Sequence, residues 1–210
     1  MFADFNFYNL TLMVIPVLLA LTGHEFAHAW AAHSLGDDTA KRAGRLTFNP
    51  LVHLDFLGTF CLLLSQAYGW AKPVPVNPSN FRRPARDMAL VALAGPLLNI
   101  ISALALGLIL KTAFQAGLLN HMLHGSPLFK VINLIVWVNL VVGIFNLIPL
   151  PPLDGFQILA AFLPASWSRF FTNKGFYLIS LTIFICLAYL GLFSRFIRPV
   201  IVSLFSVIYS

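Results

Sequence analysis

His24, Glu25 and His28 stand in the order His-Glu-x-x-His within an apolar stretch. Residues four apart on an α-helix share one face about a turn apart, so two imidazoles at this spacing can reach a single ion. Glu25 adjoins the first imidazole but is rotated off its face. There it can accept a proton from water at the ion without occupying a coordination position. The chemistry that suits this trio is metal-assisted hydrolysis. Glu25 is the only glutamate beside six histidines in 210 residues, and a chance match to the pattern is on the order of one in a thousand. Ionisable groups in an apolar helix are expensive, so function outweighs mere polar helix packing as their explanation.

Two histidines leave a catalytic zinc site incomplete, because such sites take three protein ligands and keep a position for water. Outside the motif the acidic residues are Asp4, Asp37, Asp38, Asp55, Asp87 and Asp154. Asp154 stands apart from the others. It follows an apolar run and sits in Leu153-Asp154-Gly155, just after Pro151-Pro152. The prolines should break the preceding helix, and Gly155 allows a tight backbone path by which the carboxylate turns inward. The competing reading is an ordinary N-cap of the next helix.

The elements that must position these groups are membrane-spanning helices. The chain is 59% apolar and 10% charged, far below the roughly 25% charge of soluble domains. Its pI of 9.7 does not point to nucleic acid, because the basic residues form no aromatic-laced patch and instead lie between apolar segments. Four segments reach the roughly 20 residues a bilayer requires: about 7–33, 88–111, 131–150 and 175–193. Pro16 could kink the first. A fifth apolar piece, 196–209, is shorter and reads as an interfacial or packed helix. The expected fold is mainly α: a polytopic membrane helix bundle of about four spans, in one domain over 1–210. Its core covers about 7–165, with extra C-terminal helices at about 173–210. No basic residue precedes Lys41, so the first segment reads as a retained span rather than a signal peptide. Cys61 and Cys186 lie in apolar runs and read as small buried hydrophobes.

The loop at 35–87 carries Lys41, Arg42, Arg45, Lys72, Arg82, Arg83 and Arg86, the heaviest basic cluster in the chain. The positive-inside rule puts it in the cytoplasm and the N-terminus outside. Alternating spans then return Asp154 to the side where His24 lies. Within this loop, 56–64 is too short for a span and too apolar for a solvated loop, and reads as a non-helical re-entrant or membrane-surface segment. Residues 70–77 alternate β-formers with prolines and read as an edge strand or extended arm, giving a small re-entrant or β element between the first two spans.

Taken together, His24-Glu25-Phe26-Ala27-His28 and the run from Asn146 to Gly155 resemble the site-2 protease family of intramembrane zinc metalloproteases, in a minimal form without PDZ or CBS domain. Leu93-Ala94-Gly95-Pro96-Leu97-Leu98-Asn99 is similar to that family's second-helix motif. Asn49-Pro50-Leu51-Val52-His53-Leu54-Asp55 is similar to a loop motif of its small bacterial-type members, although Phe56 stands where proline is expected. The resemblance implies one Zn²⁺ per chain held by His24, His28 and Asp154, with Glu25 as catalytic base. It also implies transmembrane proteins as substrates, in a bacterial-type cytoplasmic membrane.

The remaining polar residues leave alternatives open. Asn99 could bind an oxyanion or substrate backbone, a role the resemblance supports, or could bond between helices. Asn146 could support the Asp154 turn, contact substrate or simply bond in helix packing. His33, nine residues from His24, faces the other way and reads as interfacial. His53 could be a fourth ligand or could order its loop, and the loop role is preferred. His121 and His124 read as solvated in the outer loop. Trp70, Lys72, Val74 and Val76 could pair with an unwound substrate strand. The rival functions are a proteolytically inactive helix-binding membrane protein and a metal transporter. Transporters commonly carry inverted repeats, and none is visible.

Overall fold

The computed structural model describes residues 7–65, 69–117, 126–164 and 174–209. The expectation for His121 and His124 lies outside these residues. Three long helices dominate: α1 (Phe7–Ser34), α4 (Pro84–Gln115) and α5 (Pro127–Asn146). Each is apolar around its whole circumference, as a helix surrounded by lipid or by other helices must be. All three are long and apolar enough to cross a membrane. Their ends follow local chemistry. Pro84 and Pro127 occupy first-turn positions, where the missing N–H would have no partner. The Ser126 hydroxyl accepts from Phe129 N–H to cap α5. Gly117 ends the region after α4 with a positive φ of 68°.

α1, α4 and α5 pack against one another pairwise. Close approach of α4 and α5 depends on Gly143, where a Cβ would lie 2.8 Å from the Ile100 side chain and 3.0 Å from Pro96 O. α1 continues through the buried Pro16 without a break. The short helices are α2 (Thr39–Arg42), α3 (Phe56–Ser65) and α6 (Asp154–Ala160). α7 (Lys174–Tyr189) and α8 (Leu192–Tyr209) follow. α7 coincides with the expected fourth span, but its 16 residues extend only about 24 Å, short of the roughly 30 Å hydrocarbon core. Of the two readings of the C-terminal piece, packing prevails. Ile201 and Ile208 of α8 join Ala103 and Leu110 of α4 and Val136 and Leu140 of α5 in one buried cluster.

One expectation for the loop needs correction, and another is decided between its two alternatives. Residues 56–64 are helical, forming α3. The cause is Asp55, whose carboxylate accepts from Gly58 N–H at 2.8 Å while its carbonyl accepts from Thr59 N–H, an N-cap arrangement that starts the helix. Phe56, Leu57 and Phe60 on α3 are exposed, which suits a segment at a membrane surface. Residues 70–77 form no regular strand. They are an extended arm with one antiparallel bridge, Leu54 to Ala71, because Pro73 and Pro75 remove the donors a ladder needs.

The arm is tied down along its length. Lys72 N–H donates to His53 O at 2.8 Å, and the buried Arg45 donates to Lys72 O. Farther along, Asn77 N–H donates to Asp37 Oδ2 at 2.7 Å. Asp37, fully buried just beyond the end of α1, also accepts from Thr39 N–H, Thr39 Oγ–H and Asn80 Nδ2–H. Burial opposes its ionisation, but these hydrogen bonds prevail and hold the carboxyl below its ordinary value.

Candidate active site

His24 and His28 project from the second half of α1 toward α4, and the fold brings Asp154 to them from 130 residues away. The turn after α5 doubles back tightly. A Cβ on Gly155 would collide with Leu147 O and Ile148 O, so this position requires glycine. With α6 packed on α4, Asp154 Oδ2 lies 3.0 Å from His24 Nε2 and 3.4 Å from His28 Nε2. The three potential ligand atoms all lie within 4.8 Å of one another. The imidazoles meet edge to face, with centroids 4.6 Å apart.

The outer nitrogens of both rings determine what the inner ones present. His28 Nδ1 lies 2.7 Å from Val91 O. A carbonyl can only accept, so Nδ1 carries the hydrogen. His24 Nδ1 lies 2.7 Å from Asn99 Oδ1. The Asn99 amide can face only this way, because its Nδ2 donates to Ala20 O at 3.0 Å and to Asn139 Oδ1 at 2.8 Å. His24 Nδ1 is therefore also a donor. Each neutral ring is left with a lone pair on Nε2, and both lone pairs face one carboxylate. Two imidazole lone pairs and an anionic oxygen converging in a buried site fit a divalent cation, and a His₂-carboxylate set matches catalytic zinc with a position left for water.

Two further features shape the site. Gly95 of α4 lies against both rings: a Cβ there would sit 2.5 Å from His28 Nε2 and 2.8 Å from His24 Cε1. Glu25 is buried beside the trio, and its Oε2 accepts from Val74 N–H at 3.2 Å. The arm thus crosses the site with one backbone donor on the candidate base.

The chain matches the sequence profile of peptidase family M50 over residues 12–190, a span that holds all four residues. It belongs to that family, the site-2 protease family. It is 41% identical over 163 residues to "Putative zinc metalloprotease YwhC" of Bacillus subtilis, covering 76% of this chain and 74% of the relative. It is 30% identical over 161 residues to "Putative zinc metalloprotease Rip2" of Mycolicibacterium smegmatis, covering 75% of this chain and 60% of that one. Similarity to "Zinc metalloprotease MJ0392" of Methanocaldococcus jannaschii is 33% over 115 residues, which is 55% of this chain and 31% of the relative. No solved structure matches significantly. Family membership and three apolar helices of spanning length make this M50 chain a membrane metalloprotease by kinship.

Other residues singled out in the M50 sequence fall in varied places. His33 lies away from the trio, 2.5 Å from Asp38 Oδ1. His53 is buried in the loop, where Nε2–H donates to Thr47 O at 2.9 Å and its carbonyl receives Lys72 N–H. Asn146 donates to Val142 O of its own helix at 3.0 Å rather than to the Asp154 turn. Both N–H groups of Asn99 are engaged by Ala20 and Asn139, leaving none for an oxyanion. Asn139 and the Val91 carbonyl were not evident from sequence, and Gly95 was evident only as part of the second-helix motif. Of these, Asn139 left a signal: an amide in the middle of an apolar helix needs a buried partner.

Proposed function

We propose that this chain is an intramembrane zinc metalloendopeptidase that hydrolyses peptide bonds in or near transmembrane segments of other membrane proteins. The observation that carries this reading is the convergence of two imidazole lone pairs and the Asp154 carboxylate beside Glu25, within helices of spanning length. His24, His28 and Asp154 would hold one zinc, which when bound supplies a Lewis acid that acidifies water and polarises a carbonyl. Glu25 takes the proton of the attacking water and delivers it to the leaving amine. The basic loop supports an orientation with the N-terminus outside and the active-site end toward the cytoplasm, the side from which water enters.

A helical substrate hides its own carbonyls and must unwind before attack. The arm offers it a place to pair, and the hydrogen bonds of residues 72–77 narrow where. Lys72, Val74 and Asn77 N–H are engaged by His53 O, Glu25 and Asp37, and prolines 73 and 75 have none. Val76 N–H and the neighbouring carbonyls are what remain for an incoming strand, with Trp70 and the side chains of Lys72 and Val74 flanking it. Asn146 keeps one amide hydrogen for the substrate.

The test is cleavage of a single-pass membrane protein by the purified chain in liposomes. One zinc per chain, cleavage abolished by chelation and restored by zinc, is the expected result. Zinc bound without cleavage of any single-pass substrate would favour an inactive helix-binding protein, and zinc uptake into the vesicles would favour a transporter.

A further inference from the structure

We infer that Asn99 and Asn139 are positioning residues that fix the tautomer and ring orientation of His24, and so set zinc affinity without touching the metal. The inference rests on the metal-site reading proposed above. Three helices contribute to one buried chain of hydrogen bonds. Asn139 of α5 donates Nδ2–H to Ile135 O at 2.8 Å in its own helix, which directs its Oδ1 toward α4. There it accepts from Asn99 Nδ2–H at 2.8 Å. Asn99 gives its other amide hydrogen to Ala20 O of α1, four residues before His24, and its Oδ1 accepts from His24 Nδ1–H at 2.7 Å. Asn99 and Asn139 are both buried.

Every polar atom in this chain has a directed partner, which excludes the flipped Asn99 amide. A flip would set Oδ1 against the carbonyl of Ala20 and against Oδ1 of Asn139, so two attractive contacts would become repulsive. His24 therefore has one tautomer available, the one whose Nε2 lone pair faces Asp154. His28 reaches the same condition by a simpler route, through Val91 O. A backbone carbonyl cannot be altered by substitution of its side chain, whereas the His24 route runs through two side chains and can be dissected. Outer partners of this kind shift metal affinity by about 10- to 100-fold when removed.

The experiment measures the zinc Kd of the full-length chain in detergent, by competition with a chromophoric chelator, and the visible spectrum of the cobalt(II)-substituted protein. Helicity and unfolding temperature are followed in parallel. Asn99→Leu, close in volume but without polar atoms, should weaken zinc about 10- to 100-fold and perturb the cobalt spectrum. Asn99→Asp keeps the acceptor for His24 Nδ1–H but sets an oxygen against Ala20 O and Asn139 Oδ1, so it should lower the unfolding temperature yet weaken zinc less than Asn99→Leu does. Asn139→Leu should show a smaller loss in the same direction while leaving every direct contact to His24 in place. If Asn99→Leu does not fold, Asn139→Leu against wild type decides. Wild-type affinity and spectrum in a folded Leu variant would overturn the inference, as would equal losses in Asn99→Leu and Asn99→Asp. Failure of the underlying reading looks different: wild-type protein without a stoichiometric zinc site, or His28→Ala retaining full affinity.

Discussion

Adding one methyl group at Gly95 should empty the metal site while leaving the helix bundle intact. The Cβ of Gly95→Ala would lie 2.5 Å from His28 Nε2, 2.6 Å from His28 Cε1 and 2.8 Å from His24 Cε1. Ordinary contact begins at 3.4 Å, so the His28 ring must retreat by roughly 0.9 Å or α1 must move away from α4. Metal–ligand distances tolerate only about 0.2 Å, so a displacement several times larger takes Nε2 out of coordinating range. The Val91 carbonyl belongs to the same helix as Gly95, so retreat from α4 also stretches the His28 Nδ1–H hydrogen bond, at 2.7 Å. Overpacking of this kind costs about 1–3 kcal/mol, and the helix recovers about 1 kcal/mol from replacing glycine by alanine. Net stability should change little, so loss of zinc would not be a consequence of unfolding. Elemental analysis of purified Gly95→Ala should give well under half a zinc per chain, with near-normal helicity and unfolding temperature and no cleavage. Gly107→Ala is the control: its Cβ meets the side chain of Ile208, far from the imidazoles, and zinc should remain stoichiometric. Stoichiometric zinc at wild-type affinity in Gly95→Ala would refute the placement of these rings as metal ligands.

Four further outcomes follow from the site and its arm. Glu25→Gln should retain zinc but lose at least about a hundredfold in cleavage, trapping uncut substrate; a normal rate would remove Glu25 from the mechanism. Asp37→Ala should release the arm at a cost of about 1–3 kcal/mol, seen as faster proteolysis between 69 and 77 with zinc content unchanged. The same contact sets an acid limit. The folded Asp37 carboxyl titrates below its ordinary 3.8, so its stabilisation is complete above that pH and is lost as pH falls through the lower folded value. Arm release should therefore begin only below about pH 3.8, and Asp37→Asn should lack that acid-dependent step. Val76→Pro removes the arm's remaining donor and should slow cleavage of helical substrates more than of extended soluble peptides; equal rates on membrane substrates, with zinc and stability intact, would exclude strand pairing.

What could be read without coordinates divides along a physical line. His24, Glu25 and His28 are legible because their geometry is that of one helix, where spacing alone sets the face. Asp154 is legible at one remove, because the prolines and Gly155 announce a turn that must end somewhere near the first span. Gly95 and Asn139 carry weaker marks, a glycine in the second-helix motif and an amide in an apolar helix, and neither tells what it faces. The importance of Gly95 is the space it leaves for two rings on another helix, and that of Asn139 is the direction of an amide two helices away from the metal. The loop was misread for a related reason: Asp55 starts α3 with its own side chain, a contact hidden within a run that looks too short for a span and too apolar for a solvated loop. The spanning helices present the hardest case. In a soluble helix an apolar stripe tells which side faces inward, but α1, α4 and α5 are apolar on every side, so hydrophobicity does not distinguish lipid from neighbour. The inward faces here are marked instead by small and polar groups: Ala20, Ala27 and Ala31 on α1, Asn99 and Ala103 on α4, Asn139 and Gly143 on α5. The polar members of that set are the residues that hold His24, so the features that order the bundle and those that orient its candidate ligands are in part the same side chains.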